Sequence, residues 1–217
     1  MKIAAVADIH SPRFYTEFKD SLKQCESPDA FLLAGDIVNR GLVNEYIRVV
    51  DAIEKSLGAI PIVACFGNEE DSDSRHEILQ VIGNRITFLD ESTMVLTIKR
   101  AKLGVVGASV IPNQSLDFTK IRGFFERRAE RVSQLLQDVT GKSKYSCLLL
   151  HYSPLFENQT SSQSFSWWIS RAVQDAKPTV IIHGHIHDSD NLKTMICGTP
   201  IYNVALPAVG SITEFSM

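Results

Sequence analysis

Short apolar runs recur along the chain at Lys2–Ala7, Asp29–Ala34, Pro61–Phe66, Tyr145–Leu150 and Pro178–Ile182. Continuous apolar runs of this length fit strands buried on both faces. Between the first two runs, Phe14, Phe18, Leu22 and Cys25 recur at helical spacing. Between the second and third, Leu42, Tyr46, Val49, Val50, Ile53 and Leu57 do the same. A longer helix is expected over Ile121–Val139. Phe124, Phe125, Val132, Leu135 and Leu136 lie on its apolar face, with Glu126, Arg127, Glu130 and Arg131 on a solvated one. A further helix is expected over Ser166–Ala176.

The first third therefore reads β-α-β-α-β, which implies parallel strands with right-handed crossovers. The stretch Arg85–Val106 differs. Its apolar segments at Ile86–Leu89, Met94–Ile98 and Leu103–Val106 are separated by short turns, as in an antiparallel meander, and Leu192–Phe215 has the same character. Two sheets, each with helices on its outer face, accommodate both patterns. No internal repeat or Pro/Gly-rich linker divides the chain, so a single domain over 1–217 is expected. The polar, Ser/Gln-rich stretch Asn158–Ser166 reads as a surface loop.

Composition narrows the class. The chain has 217 residues, 44% of them hydrophobic and 22% charged, with a net charge of −3. These are values of an ordinary globular protein, and no polybasic segment suggests a nucleic-acid surface. The apolar run at Ile3–Ala7 is too short for a signal peptide, and no stretch approaches a membrane span. Cys25, Cys65, Cys147 and Cys197 are far apart without a C-x-x-C pair, which favours a reduced, cytoplasmic protein over a disulfide framework. Oligomeric state is left open.

The polar residues at the strand ends carry the chemistry. The first run ends in Asp8-Ile9-His10, the second in Gly35-Asp36 and the third in Gly67-Asn68-Glu69-Glu70. The fourth ends in His151 and the fifth in His183-Gly184-His185-Ile186-His187. In open α/β sheets, ligands bind outside the carboxyl ends of the strands. Five of the six histidines fall there. Asp8 and His10 lie two apart on an expected extended segment, so their side chains share a direction; His183, His185 and His187 share that parity. Glycines 35, 67 and 184 allow close backbone approach or positive φ. Oxygen and imidazole donors without thiolate suit Mn, Fe, Zn, Co or Ni. Their number exceeds what one tetrahedral ion needs and suits two ions roughly 3.5–4 Å apart.

In order and spacing, these residues resemble the calcineurin-like metallophosphoesterase pattern: D-x-H, G-D, G-N-H-D/E, H and G-H-x-H, each after a strand. The resemblance spans residues 8–187. It implies a four-layer α-β-β-α sandwich of two mixed sheets with outer helices. It also implies one divalent cation held by Asp8, His10 and His187, a second held by Asn68, His151 and His185, and Asp36 bridging them. Manganese is the favoured ion. The substrate implied is a phosphoester small molecule or nucleotide, with no membrane partner. His183 is outside the family set and is expected to support a turn.

Gly35–Gly41 is similar to the G-D-x-V-D-R-G stretch of the protein-phosphatase branch. Arg40 is then a candidate phosphate ligand beside Asn68, because a guanidinium fork matches phosphate oxygens; the alternative is an exposed residue at a helix start. The chain departs from the family where His should follow Asn68. Glu69 stands there, and Asn39 stands where the branch has the Asp that orients that His. Glu69 is a candidate proton donor if protonated, or it points away. Glu70 reads as a structural partner, and His76 as an exposed helix residue. Trp167 and Trp168 either line a substrate pocket or pack a helix on the sheet. Without the usual donor, good leaving groups should be preferred, as in aryl diesters or nucleotide-type esters. The alternative is a metal-bound phosphoester binder with little turnover. An amide hydrolase would more usually open with His-x-His than with Asp-x-His.

Overall fold

The computed structural model describes residues 1–109, 118–154 and 166–217, with the backbone course only for 118–121 and 166–167. The first third folds as its periodicity requires. Strands β1 (Lys2–Val6), β2 (Ala30–Ala34) and β3 (Ile62–Cys65) pair in parallel. Helices α1 (Tyr15–Leu22) and α2 (Val43–Leu57) connect them. Helix α3 (Ser72–Ile82) follows β3, and Asp71 caps it by accepting from the Ser74 N–H at 2.8 Å.

The stretch Arg85–Val106 does not form the expected meander. Strand β4 (Thr87–Phe88) pairs in parallel with β3, at the edge of the first sheet. Only β5 (Ser92–Ile98) and β6 (Ala101–Ala108) form an antiparallel pair, and they belong to the second sheet. The chain changes sheet around Leu89. Ile86 and Phe88 pack with the helices outside the first sheet, whereas Leu89 enters the layer between sheets. Phe88 stacks on Phe66 at 4.4 Å between ring centroids. Tertiary packing of this kind overrides the local turn pattern.

Helix α4 (Phe118–Lys142) precedes β7 (Tyr145–Leu150), and α5 (Ser166–Gln174) precedes β8 (Val180–His183). Strands β9 (Lys193–Ile196) and β10 (Thr199–Asn203) are antiparallel to each other, but β10 runs parallel to β8. Helix α6 (Leu206–Val209) leads to β11 (Thr213–Ser216), which returns to the first sheet antiparallel to β1. The C-terminal region thus also divides between sheets. The strand orders are β11-β1-β2-β3-β4 and β5-β6-β7-β8-β10-β9.

Alternation along each strand separates three apolar layers. Ala4 and Val6 face α1, α2 and α3, while Ile3 and Ala5 face the second sheet. Leu149 and Ile182 complete the layer between sheets, and Leu148 and Ile181 pack under α4 and α5. The result is the expected four-layer sandwich of two mixed sheets with outer helices. Cys65 and Cys147 lie in the central layer, and all four cysteines are free. Trp168 is buried and packs on Phe125 with ring centroids 5.9 Å apart, so it joins α5 to α4. The Trp167 side chain and residues 158–165 lie outside the described residues. Among the described residues, no helix is long and apolar enough to cross a membrane.

Leu149 has no exposed surface and faces the opposite sheet. Leu149→Ala should lower unfolding free energy by about 2–5 kcal/mol. Met195→Ala, at a side chain 62% exposed, should change it by less than about 0.5 kcal/mol. Denaturant titration of both variants checks the contrast.

Candidate metal centre

Where β1, β2, β7 and β8 end, the apolar layer between sheets gives way to buried polar side chains. Asp8, Asp36 and His151 are buried, and His10 is 8% exposed. The turns that deliver them are tight. Asp8, His10, Asp36 and His185 all adopt positive φ, at 56°, 42°, 51° and 72°. This corrects the expected route for Asp8 and His10. They converge because the chain coils after the strand, not because alternate residues of an extended segment share a face. Left-handed backbone at a non-glycine residue is strained and collects at functional sites.

Distances show which predicted residues meet. His187 Nε2 lies 3.0 Å from Asp8 Oδ1, and His10 Nε2 lies 3.6 Å from the same oxygen. His10 Nε2 is 3.9 Å from Asp36 Oδ2, and His151 Nε2 is 3.3 Å from it. Asn68 Oδ1 stands 3.1 Å from His151 Nε2. Two groups have donor atoms within 4.8 Å of one another: Asp8, His10 and His187, and then Asp8, Asp36 and His151. Asp8 is therefore common to both groups, while Asp36 reaches His10 and His151 from between them. His185 belongs to neither group. Its ring centroid lies 5.1 Å from that of His151, and its backbone N–H donates to Asp8 Oδ2 at 2.7 Å.

Close backbone approach makes this geometry possible. A Cβ on Gly184 would collide with Asp8 Oδ2 and with Ala7 Cβ, and one on Gly67 would collide with Asp36 Oδ1. Neither glycine has positive φ; each is needed for space. Around them, hydrogen bonds fix the carboxylates. Glu69 N–H donates to Asp36 Oδ1 at 2.8 Å. The Glu70 carboxylate, fully buried, accepts from the N–H groups of Asp36, Ile37, Val38 and Gly67 at 2.7–3.2 Å. Glu70 is thus the structural partner expected. Arg75, which sequence reading passed over, donates Nε–H to Glu70 O and Nη2–H to Gly67 O, at 2.7 and 2.8 Å. It clamps the turn that carries Asn68. Its only sequence signal is a cation within the otherwise acidic and polar run Asp71–Glu77.

The electrostatics follow from burial against pairing. Burial disfavours the Asp8 carboxylate, but the adjacent His10 imidazole and hydrogen bonds from His187 and the His185 backbone outweigh it and hold its pKa well below the usual range. Burial also opposes charge on His151, yet the bond to Asp36 and that carboxylate's charge raise its pKa to about 9. Its Nδ1–H donates to Ala34 O at 3.0 Å, which leaves Nε2 directed at Asp36 and Asn68. Burial, with the negative charge of Asp36, raises Glu70 to about 7. Burial lowers His183 to about 4; its Nδ1–H donates to Gly184 O, so it supports the turn as expected.

The remaining candidates are peripheral. Arg40 is exposed at φ 47°, and its backbone N–H donates to Glu69 Oε2 at 2.9 Å. The Glu69 carboxylate is thereby tied to the Arg40 backbone. His76 is exposed and bonds to Gln80. Tyr152, which sequence reading also passed over, lies with its ring 4.6 Å from His185 and 5.1 Å from His151.

A cation fits this donor set. His10 Nε2 is buried without a hydrogen-bond partner among the described residues, facing two carboxylates. Carboxylate, imidazole and amide oxygen donors converge without thiolate, as divalent ions of the Mn-to-Zn series prefer. Residues 1–189 match the family model described as calcineurin-like phosphoesterase. The chain belongs to the calcineurin-like phosphoesterase family. Membership brings metal-dependent phosphoester hydrolysis as the family's activity. The phosphoesterase fold is shared with GAP50, the anchor in the inner membrane complex of Plasmodium. That match has a TM-score of 0.65 at 13% identity and covers all of this chain and 76% of that one. TT1561 of Thermus thermophilus matches with a TM-score of 0.64 at 11% identity, over 99% and 98% of the two chains. Sulfate thiohydrolase SoxB of Thermus thermophilus matches with a TM-score of 0.54 at 16% identity, over 85% of this chain and 35% of that one. Identities this low establish the fold alone. No curated protein matches the sequence.

Gly184→Ala should displace Asp8 and destabilise the protein by about 1–3 kcal/mol, with reduced divalent-metal content after purification. Gly141→Ala, on α4 with open space around its Cβ position, should be neutral or stabilising by up to about 1 kcal/mol. Thermal melts with elemental analysis of both variants test this.

Proposed function

We propose that this chain is a phosphoesterase working with two divalent cations, Mn²⁺ favoured. Asp8, His10 and His187 would hold one, and Asn68, His151 and His185 the other, with Asp36 between them. The observation that carries the reading is the position of Asp36, whose Oδ2 faces His10 Nε2 on one side and His151 Nε2 on the other. Bound cations of this kind supply Lewis-acid stabilisation of phosphoryl oxygens and make hydroxide available at neutral pH.

The chain's own residues then have separable tasks. Glu69 N–H and the Glu70-bound turn fix the Asp36 carboxylate. Ala34 O orients the His151 ring. The exposed Arg40 guanidinium is free to meet a phosphate at the rim, and Asn68 to orient it. One Glu69 oxygen accepts from the Arg40 N–H, and the histidine that the family pattern carries at this position is absent. That favours phosphodiesters and nucleotide-type esters with good leaving groups over alkyl monoesters. It also motivates a second reading, a metal-bound phosphoester or nucleotide binder with weak turnover. A single domain over 1–217 and a reducing, cytoplasmic setting complete the proposal; the four free thiols suit the latter.

Mn²⁺-loaded protein should hydrolyse bis(p-nitrophenyl) phosphate. Asp36→Asn and chelation by EDTA should each remove at least about 10²-fold of that rate. Tight nucleotide binding without turnover under any added divalent metal would select the binder instead. Across aryl phosphodiesters, rate should rise steeply as leaving-group pKa falls. A flat dependence would show that a proton donor operates at the site after all.

A further inference from the structure

We propose that Tyr152 contacts the substrate, its hydroxyl donating a hydrogen bond to a non-bridging phosphoryl oxygen. This rests on the phosphoesterase reading and names a residue that the family pattern does not include. Tyr152 directly follows His151 at the end of β7. Its ring packs against two candidate ligands at once, 4.6 Å from the His185 centroid and 5.1 Å from that of His151. It is half-buried, and its hydroxyl makes no hydrogen bond to any described residue. A partly buried tyrosine O–H beside a polar centre ordinarily has a partner.

The chemistry explains why a phenol suits this position. Asp8, Asp36 and Glu69 bring three carboxylates to the same region, the first two buried. Glu69 stands where the family carries a histidine, so one donor toward the phosphoryl group is missing. A neutral O–H supplies a donor without adding negative charge, and the ring, wedged on His151 and His185, holds it in place. Donors fixed where charge develops stabilise the transition state of phosphoryl transfer.

Tyr152→Phe removes one oxygen and keeps the ring, so it separates donation from packing. In Mn²⁺-loaded protein we expect kcat/KM for bis(p-nitrophenyl) phosphate to fall on the order of 10²-fold. Metal content and melting temperature should be unchanged, and inhibition by inorganic phosphate should weaken. A purely structural tyrosine would leave both kinetic readouts at wild-type values, and that result overturns the proposal. If the wild-type protein turns over no phosphoester, the phosphoesterase reading falls separately. Calorimetric binding of inorganic phosphate to metal-loaded wild type and Tyr152→Phe then decides. Weaker binding by the phenylalanine variant sustains the role of the hydroxyl; equal binding, or none by either protein, ends it.

Discussion

Among the hydrogen bonds that cross from one sheet to the other at the carboxyl ends of the strands, two set the frame of the site. His151, at the end of the second sheet's β7, donates to Ala34 O on β2 of the first. The His185 N–H, beyond β8, donates to Asp8 Oδ2, beyond β1. Over the rest of their length the sheets meet through side chains such as Ile3, Leu32, Leu149 and Ile182. Apolar contact sets the spacing between sheets but is indifferent to small shifts along the strands. The polar bonds remove that freedom. A sliding of one sheet past the other would strand a buried carboxylate or imidazole, at a penalty of several kcal/mol.

The same logic explains the turn after β3. Glu70 gathers four backbone N–H groups from two strand-end loops, and Arg75 holds the carbonyls of Gly67 and Glu70. Together they join the Asp36 loop to the Asn68 loop. Glu69 adds two more ties between these loops, its N–H to Asp36 Oδ1 and its carboxylate to the Arg40 N–H. Glu69, standing where the family pattern carries a histidine, braces the loop that holds Arg40. The proposed donor, the hydroxyl of Tyr152 at the end of β7, would supply donation without undoing that brace.

Much of this was legible in the chain because the informative features are local. Each of the five apolar runs ends in a residue able to bind metal, and Asp8, Asp36, Asn68, His151 and His187 meet as that placement suggests. The strand patterns accommodated two sheets with outer helices, and the family resemblance implied the four-layer arrangement. What stayed hidden depends on partners distant in sequence. Ile86–Leu89 reads as one strand of a meander, yet Phe88 and Leu89 pack in different layers because Phe66 and the second sheet claim them separately. Parity suggested why Asp8 and His10 converge, but their positive φ values place them by a different route. Arg75 and Tyr152 carry no motif. Their roles exist only once loops from separate strands are side by side.

Strain and charge fall on the same residues, and this bears on how the site meets a cation. Asp8, His10, Asp36 and His185 each hold left-handed backbone, at roughly 1–2 kcal/mol per residue. The bonds that hold them there involve only protein groups. Asp8 N–H donates to Gly35 O and His10 N–H to Asp36 O, both at 3.0 Å, and His185 N–H to Asp8 Oδ2. A cation arriving among Asp8, Asp36 and the imidazoles would relieve the confinement of negative charge but would not create these backbone conformations. The scaffold thus bears the conformational strain during folding, supported by the three apolar layers. Loops held by their own hydrogen bonds in this way meet what a preorganised centre requires, that its side chains be positioned by a supporting shell.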